Sequence, residues 1–396
     1  MIQTVPAVVI GGSLNALGVV RSLNAGGVPT VLLETTHRCP GRWSRHCKFV
    51  RVPSLEGRAL VDPLRALAIP GAERPVLALT DDRAVETVSS FRAELEDRFR
   101  ILLPAAAMVP VLADKTAFHA FAEAEGLPVP RSVTLRGRAD ARLLDELVPP
   151  LVLKPANKAR VAGSRFERVV RADTLAHARD VVAERVERTG GLLVQEWIDG
   201  PDNAIYFALF VCDPNSQLVA HFAGRKIVCE PPRVGSTAVC TAAGEDSGEI
   251  ERIARRYIAA GRYVGVGGLE LKRDQRDGRF VVVEPTVGRT DQQAEIATLY
   301  GVNIALAAYR TALGLPVEPP RRVAATFAWR TSRRHQIPPG ELPTGTRVVD
   351  GYFRAGDPLP AAYYYGYERV AARLWHLVSQ PERWRARAAR IANGRW

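Results

Sequence analysis

The sequence predicts an α/β protein opening on a parallel-sheet domain, and three observations support that prediction. Residues 7 to 36 run Ala-Val-Val-Ile, a turn at Gly11 and Gly12, a stretch at helical spacing, then Thr-Val-Leu-Leu-Glu, which is a βαβ unit. A second apolar run at 75 to 82, Pro-Val-Leu-Ala-Leu-Thr-Asp-Asp, precedes an acidic and apolar helical pattern through Phe99. Beyond residue 130 short strand and helix patterns alternate.

Taken in order, the first glycines permit a tight turn at a strand end, but Gly11, Gly12 and Gly18 do not make the G-x-G-x-x-G fingerprint. That turn reads either as packing or as a binding loop. Asp81 and Asp82 read as the N-cap of the next helix, with a ligand-facing role as the alternative. A helix starts at Asp114 and stops at Gly126, with prolines beyond. Strand Leu151 to Lys154, a helix from about Thr174, strand Gly191 to Ile198, strand patterns through 222 and a helix over 247 to 261 follow. Pro316, Pro319 and Pro320 mark a boundary. The remaining tail holds Tyr363 to Tyr365, a helix around Trp375 and an arginine-rich end, read as a helix packed through Trp384 with a solvated Arg face.

At 396 residues, 47% hydrophobic and 24% charged, the chain has material for two or three globular domains. A formal charge of +12 favours anionic partners without choosing among them. Cys39, Cys47, Cys212, Cys229 and Cys240 lack metal or redox spacing and are expected to be reduced, which places the protein in the cytoplasm. The apolar N-terminal run lacks a basic n-region and is broken by Gly11 to Asn15, so it reads as strand, loop and helix; no stretch reaches the about 18 apolar residues of a membrane helix.

Two carboxylates stand out. Glu270 in Gly-Gly-Leu-Glu-Leu-Lys and Glu284 in Phe-Val-Val-Val-Glu-Pro-Thr each interrupt a strand-like apolar run, where an ionised group is costly unless something positive meets it. Their spacing suits an antiparallel hairpin turning at Asp277-Gly278, with both carboxylates at one end to share a divalent cation. For either glutamate alone, an edge-strand surface residue is the competing reading.

Set in order, these motifs resemble the ATP-grasp superfamily, in particular carboxylate-amine ligases such as D-aspartate ligase and D-alanyl-D-alanine ligase, over about residues 5 to 315. Asp114-Lys115, Val152-Leu153-Lys154-Pro155, the linker Val194-Gln195-Glu196-Trp197-Ile198-Asp199-Gly200 and the glutamate pair carry the resemblance. It implies a pre-grasp domain over 1–110, a small lobe over 111–198, a large lobe over 199–316 and a C-terminal extension over 317–396. Lys115 and Lys154 would meet phosphates, Lys158, Gly163 and Ser164 belong to a loop closing on the triphosphate, and Gln195, Glu196, Trp197 and Ile198 would contact adenine, with Asp202 near the ribose. Glu270, Glu284 and Thr286 would bind two Mg2+ ions, with Mn2+ as the alternative. Arg225 and Lys226, on a segment similar to the family's mobile loop, and Arg289 would be catalytic. The chain departs from the usual Glu-x-Asn-Pro-Arg ending: Thr286 stands in for the asparagine and Arg289 arrives one residue late.

Signatures of a P-loop, a zinc protease and a nucleophile elbow are absent, and the seven histidines are scattered singly. The expected function is therefore an ATP-dependent ligase joining a small carboxylic acid to an amine through an acyl phosphate. Carboxylase or phosphoryl-transfer chemistry on the same site is one alternative, and a non-catalytic ATP-regulated binding protein is another. Neither a membrane nor a nucleic acid is an expected partner; a homo-oligomer is left open.

Overall fold

The computed structural model describes residues 5–69, 74–156, 169–233, 235–368 and 370, arranged around three sheets. The first is parallel, in the order β3-β2-β1-β4, from β1 (Ala7–Ile10), β2 (Thr30–Glu34), β3 (Lys48–Arg51) and β4 (Val76–Leu79). Its central strand β1 is buried along its whole length, as a continuous apolar run in a parallel sheet requires. Helices α1 (Leu14–Ala25), α2 (Arg58–Ala66) and α3 (Asp82–Ser90) connect or flank these strands. Asp81 is the N-cap of α3, its carboxylate accepting from Arg83 N at 3.0 Å, and Asp82 is the first helical residue.

Helix α4 (Lys115–Ala124) begins where the sequence predicts because Asp114 Oδ1 accepts from the Thr116 and Ala117 N–H groups at 3.0 and 2.9 Å. An antiparallel sheet follows in the order β5-β8-β6-β7, built from β5 (Ser132–Leu135), β6 (Leu151–Pro155), β7 (Val170–Ala172) and β8 (Leu192–Glu196). Helix α5 (Leu175–Thr189), capped by Thr174, packs Ala178, Val182 and Val186 on Leu151, Leu153 and Val194 to give this small lobe its own core.

The third sheet has seven strands in the order β13-β12-β9-β10-β11-β14-β15. They are β9 (Ile205–Cys212), β10 (Leu218–Glu230), β11 (Ser236–Ala242), β12 (Gly265–Arg273), β13 (Phe280–Val287), β14 (Phe327–Arg330) and β15 (Arg347–Asp350). Alternation along β9 sends Ala208 and Phe210 toward helix α6 (Ser247–Gly261), while Phe207, Leu209 and Val211 pack with Leu14 and Leu17 of α1 and with Ile304 and Ala307 of α7 (Ile304–Ala312). The large sheet is thus seated against the first domain. The segment beyond the prolines at 316 to 320 adds β14 and β15 to this same sheet, because β14 pairs with β11. The expected helix around Trp375, Trp384 and the basic end lie outside the described residues.

One buried ion pair ties the two ends of the chain together. Arg21 of α1 donates from Nε to Asp357 Oδ2 at 3.0 Å, from Nη1 to the Gly351 carbonyl at 2.8 Å and from Nη2 to the Tyr352 carbonyl at 2.7 Å, and the Arg21 and Asp357 side chains are 7% and 2% exposed. Asp357 also accepts from Ser44 Oγ at 2.9 Å and Arg45 N at 3.0 Å. Every partner is satisfied, which is the condition under which a buried pair persists. Burial pushes the Cys47, Cys212 and Cys229 thiols up to about 12. Among the described residues no helix is long and apolar enough to cross a membrane.

Removing Asp357 strands the Arg21 guanidinium in the interior. Asp357→Ala is expected to cost about 3–5 kcal/mol in urea denaturation. The exposed Arg179–Asp145 pair provides the control, since Asp145→Ala should stay within about 1 kcal/mol of the parent.

Candidate active site

The hairpin β12–β13 sets Glu270 directly opposite Glu284, with a register irregularity immediately after Glu270. Their side chains are 36% and 45% exposed, so neither is sunk in the core. Each meets a lysine. Lys226 Nζ lies 2.6 Å from Glu270 Oε2, and Lys115 Nζ lies 3.4 Å from Glu284 Oε1. Lys226 starts on β10 and reaches over β9 to do this. Gly224 makes room on the way, since a Cβ there would stand 2.1 Å from the Phe207 ring. Burial pushes the Lys226 ammonium down, but the charge and hydrogen bond of Glu270, with smaller help from Cys229 and Asp291, together turn the net shift up. Lys226 stays charged at neutral pH.

Residues 224 to 227, expected in a mobile loop, are part of β10. The alternation of that strand separates the two expected basic residues: Lys226 faces the glutamates, whereas Arg225 lines a different cavity with Tyr206 and Arg273. The structure therefore does not bring Arg225 to the carboxylates.

Lys154, near the end of β6, donates to Gln195 Oε1 on β8 at 2.8 Å. Glu196 accepts from Val148 N at 3.1 Å, Trp197 is buried with its backbone N–H on the Pro150 carbonyl at 2.8 Å, and Ile198 is half-buried. The Asp202 carboxylate is occupied by backbone, accepting from Cys229 N at 2.7 Å and Arg233 N at 2.5 Å, so it shapes the β10–β11 turn. Lys158, Gly163 and Ser164 lie outside the described residues.

Glu270 and Lys226 open onto a cavity of about 300 Å³ that runs to the C-terminal edge of the first sheet, where Asn15, Thr80, Asp81 and Asp82 form the opposite wall. This is the edge at which an open α/β sheet presents ligands. Arg289 spans it, donating from Nε to Asp82 Oδ1 at 2.5 Å and from Nη1 to Asp291 Oδ1 at 2.7 Å. Burial opposes its charge and the two carboxylates overcome that. Asp291 Oδ2 accepts from the Thr286 hydroxyl at 2.9 Å. Asp291 and Asn15 were not singled out from the sequence as site residues. Asn15 donates to the carbonyls of Thr80 and Thr290 and so joins the two walls.

The donor set suits a hard cation: two carboxylates face each other across one register position, and ammonium groups now stand beside both. Among the described residues no third acidic, histidine or cysteine side chain completes a cluster, so further ligands would come from substrate or water.

No family profile and no curated protein matches this sequence. Solved structures do match. N5-carboxyaminoimidazole ribonucleotide synthetase in its ADP complex superposes with a TM-score of 0.62 at 13% identity, covering 81% of each chain. The enzyme of that name from Thermus thermophilus gives 0.61 at 16%, covering 81% of this chain and 82% of the other. The biotin carboxylase domain of Hydrogenobacter thermophilus 2-oxoglutarate carboxylase, a dimer bound to MgADP, ADP and bicarbonate, gives 0.60 at 17%, covering 81% and 72%. At 13–17% identity these likenesses show the fold alone, and the fold of this chain is the ATP-grasp fold.

Proposed function

We propose that the protein is an ATP-dependent ligase that joins a small carboxylic acid to an amine. The observation that carries this reading is the Lys226–Glu270/Glu284–Lys115 cluster at the mouth of a cavity walled by the first domain. In the proposed reaction a carboxylate oxygen attacks the γ-phosphorus of ATP, the bond from that phosphorus to the β–γ bridging oxygen breaks, and ADP leaves. The amine lone pair then attacks the acyl carbon, the tetrahedral intermediate expels phosphate, and the nitrogen gives up a proton. Neither step needs a covalent bond to the protein.

The work of the chain is therefore positioning and charge compensation. Lys115 on α4 and Lys154 on β6 would meet phosphate oxygens. Lys226, buried beside Glu270, would offset charge on the transferred phosphoryl group. Glu270 and Glu284 would hold magnesium, which supplies charge neutralisation of the phosphates when bound; Thr286 retains lone pairs beside them.

The acceptor side of the cavity favours an amine. Asp81 is paired with Arg83, and the other three carboxylates, Asp82, Glu270 and Asp291, face two cations, Lys226 and Arg289, both already ion-paired. The remaining negative charge draws a protonated amine toward the acyl group, where it loses a proton to become the nucleophile. It offers little to a phosphorylated acceptor. Bicarbonate as the acid is the second reading, motivated by the carboxylase names of the similar structures.

An ADP-release screen of amino acids and small carboxylates, with and without amines and with bicarbonate as a separate arm, tests the reaction. ADP release that requires both an acid and an amine is expected. No release in any arm, together with no magnesium-dependent ATP binding, would end this reading; binding without release would favour a regulatory nucleotide site. Glu284→Ala should weaken magnesium-dependent ATP binding by roughly tenfold or more in calorimetry. Asp82→Asn should raise KM for the amine by roughly tenfold with a smaller change in kcat, and an unchanged KM would refute the acidic-mouth argument.

A further inference from the structure

Arg225 and Lys226 are consecutive on β10, so the strand that delivers Lys226 to the glutamates turns Arg225 to the opposite face of the large sheet. There it pairs across the ladder with Tyr206 of β9. Arg273 shares that face, because it lies two residues beyond Leu271, the β12 partner of Tyr206. Arg225, Tyr206 and Arg273 line a cavity of about 370 Å³ bounded by Asn203 and the β12–β13 turn, and none of its lining residues belongs to the cavity at Glu270 and Lys226.

What marks this cavity is an arginine without an acceptor. Arg225 is half-buried, yet among the described residues it donates no hydrogen bond and forms no ion pair. The carboxylates at the wall already have partners. Asp274 Oδ2 accepts from Arg276 Nη2 at 2.6 Å, Asp246 Oδ2 accepts from the Tyr206 hydroxyl at 2.7 Å, and Glu341 Oε1 accepts from the Asn203 amide at 3.0 Å. Asp246 also stands 3.4 Å from Arg273 Nη1, which leaves Arg225 with no carboxylate in contact. Burial and Asp246 raise the Tyr206 pKa, and Arg225 and Arg273 both oppose that rise, so the two guanidinium groups converge on one hydroxyl. A guanidinium that has lost part of its water shell is best satisfied by an oxyanion, which its planar fork of N–H donors meets in bidentate fashion.

We infer that this cavity is a second ligand site, which holds a small metabolite by a carboxylate or phosphate group on the Arg225 guanidinium, with Arg273 on its flank. The site stands apart from the nucleotide reading of the cleft. A ligand here lies across the sheet from Glu270 and Lys226 and does not compete for them. It gives Arg225 a binding role outside the phosphoryl chemistry.

Calorimetric titration of the full chain with citrate, for carboxylates, and with glycerol 3-phosphate, for phosphate esters, tests the assignment. One probe or both should bind, and Arg225→Gln should weaken that binding roughly tenfold or more while unfolding with wild type, since Arg225 has no bond to lose. The tighter probe names the oxyanion. Lys115→Met, a change at the other cavity, should leave the affinity within about twofold of wild type. Arg225→Lys keeps the charge and loses the fork; it should still bind more weakly than wild type, and it carries the comparison should the glutamine variant fail to fold. Three results overturn the inference and leave the ATP-site reading standing: neither probe binds at millimolar concentration, Arg225→Gln binds within about twofold of wild type, or Lys115→Met loses as much affinity as Arg225→Gln.

Discussion

The ion pair between Lys226 and Glu270 is the constraint on which the site depends. A buried ammonium is costly unless a carboxylate meets it, so the register of β10 against β9 and of β9 against β12 is fixed by more than main-chain hydrogen bonds. A slip of one residue in β10 would turn Arg225 toward Glu270 and send Lys226 to the α6 side. The glycine at 224 belongs to the same constraint, because any side chain there would collide with Phe207 across the strand pair. What results is a carboxylate pair whose charge is compensated from two directions. One lysine comes from within the sheet, and the other, Lys115, comes from the helix that leads into the small lobe.

The acceptor wall is fixed by a different set of contacts. Asn15 bonds to Thr80 and Thr290, Arg289 to Asp82, and Arg21 to Asp357, so the first domain is pinned to the large sheet on both sides of α1. Shared apolar packing of Leu14 and Leu17 with Phe207 and Leu209 lies between these polar ties. The small lobe differs. Its core is its own, formed by α5 on β5 to β8, whereas the helix that carries Lys115 packs Phe118 and Ala122 into the core beneath the large sheet. The first domain is thus fixed to the large sheet by polar and apolar contacts together, and the small lobe keeps a separate core.

Much of this arrangement was legible in the sequence where the determining forces are local. The βαβ unit, the cap at Asp114, the helix over 247 to 261 and the glutamate hairpin each follow from periodicity plus one or two punctuating residues, and each stands where those signals put it. The basic segment at 224 to 227 was less legible: it continues a strand beginning at Leu218, and only that strand's partners decide which side chain faces the site. Asp202 carried a polar, ribose-like position in the sequence, but its carboxylate closes on backbone 27 and 31 residues away. Asp291 and Asn15 owe their placement to contacts between elements distant in the chain.

The two departures from the family's metal-strand ending have a common structural root. Gly288 turns the chain immediately after β13 with φ +65°, its N–H bonded to the Tyr263 hydroxyl at 2.9 Å; a Cβ there would meet Leu103 at 2.5 Å. That corner delays the arginine by one residue and carries it toward the first domain, where Asp82 takes one edge of the guanidinium. The other edge is held by Asp291, and Asp291 is in turn oriented by the Thr286 hydroxyl. The Thr286 hydroxyl donates to Asp291 and keeps its own lone pairs as acceptors. Threonine and the late arginine therefore act together: the strand that carries the carboxylates is continued into a clamp on the first domain.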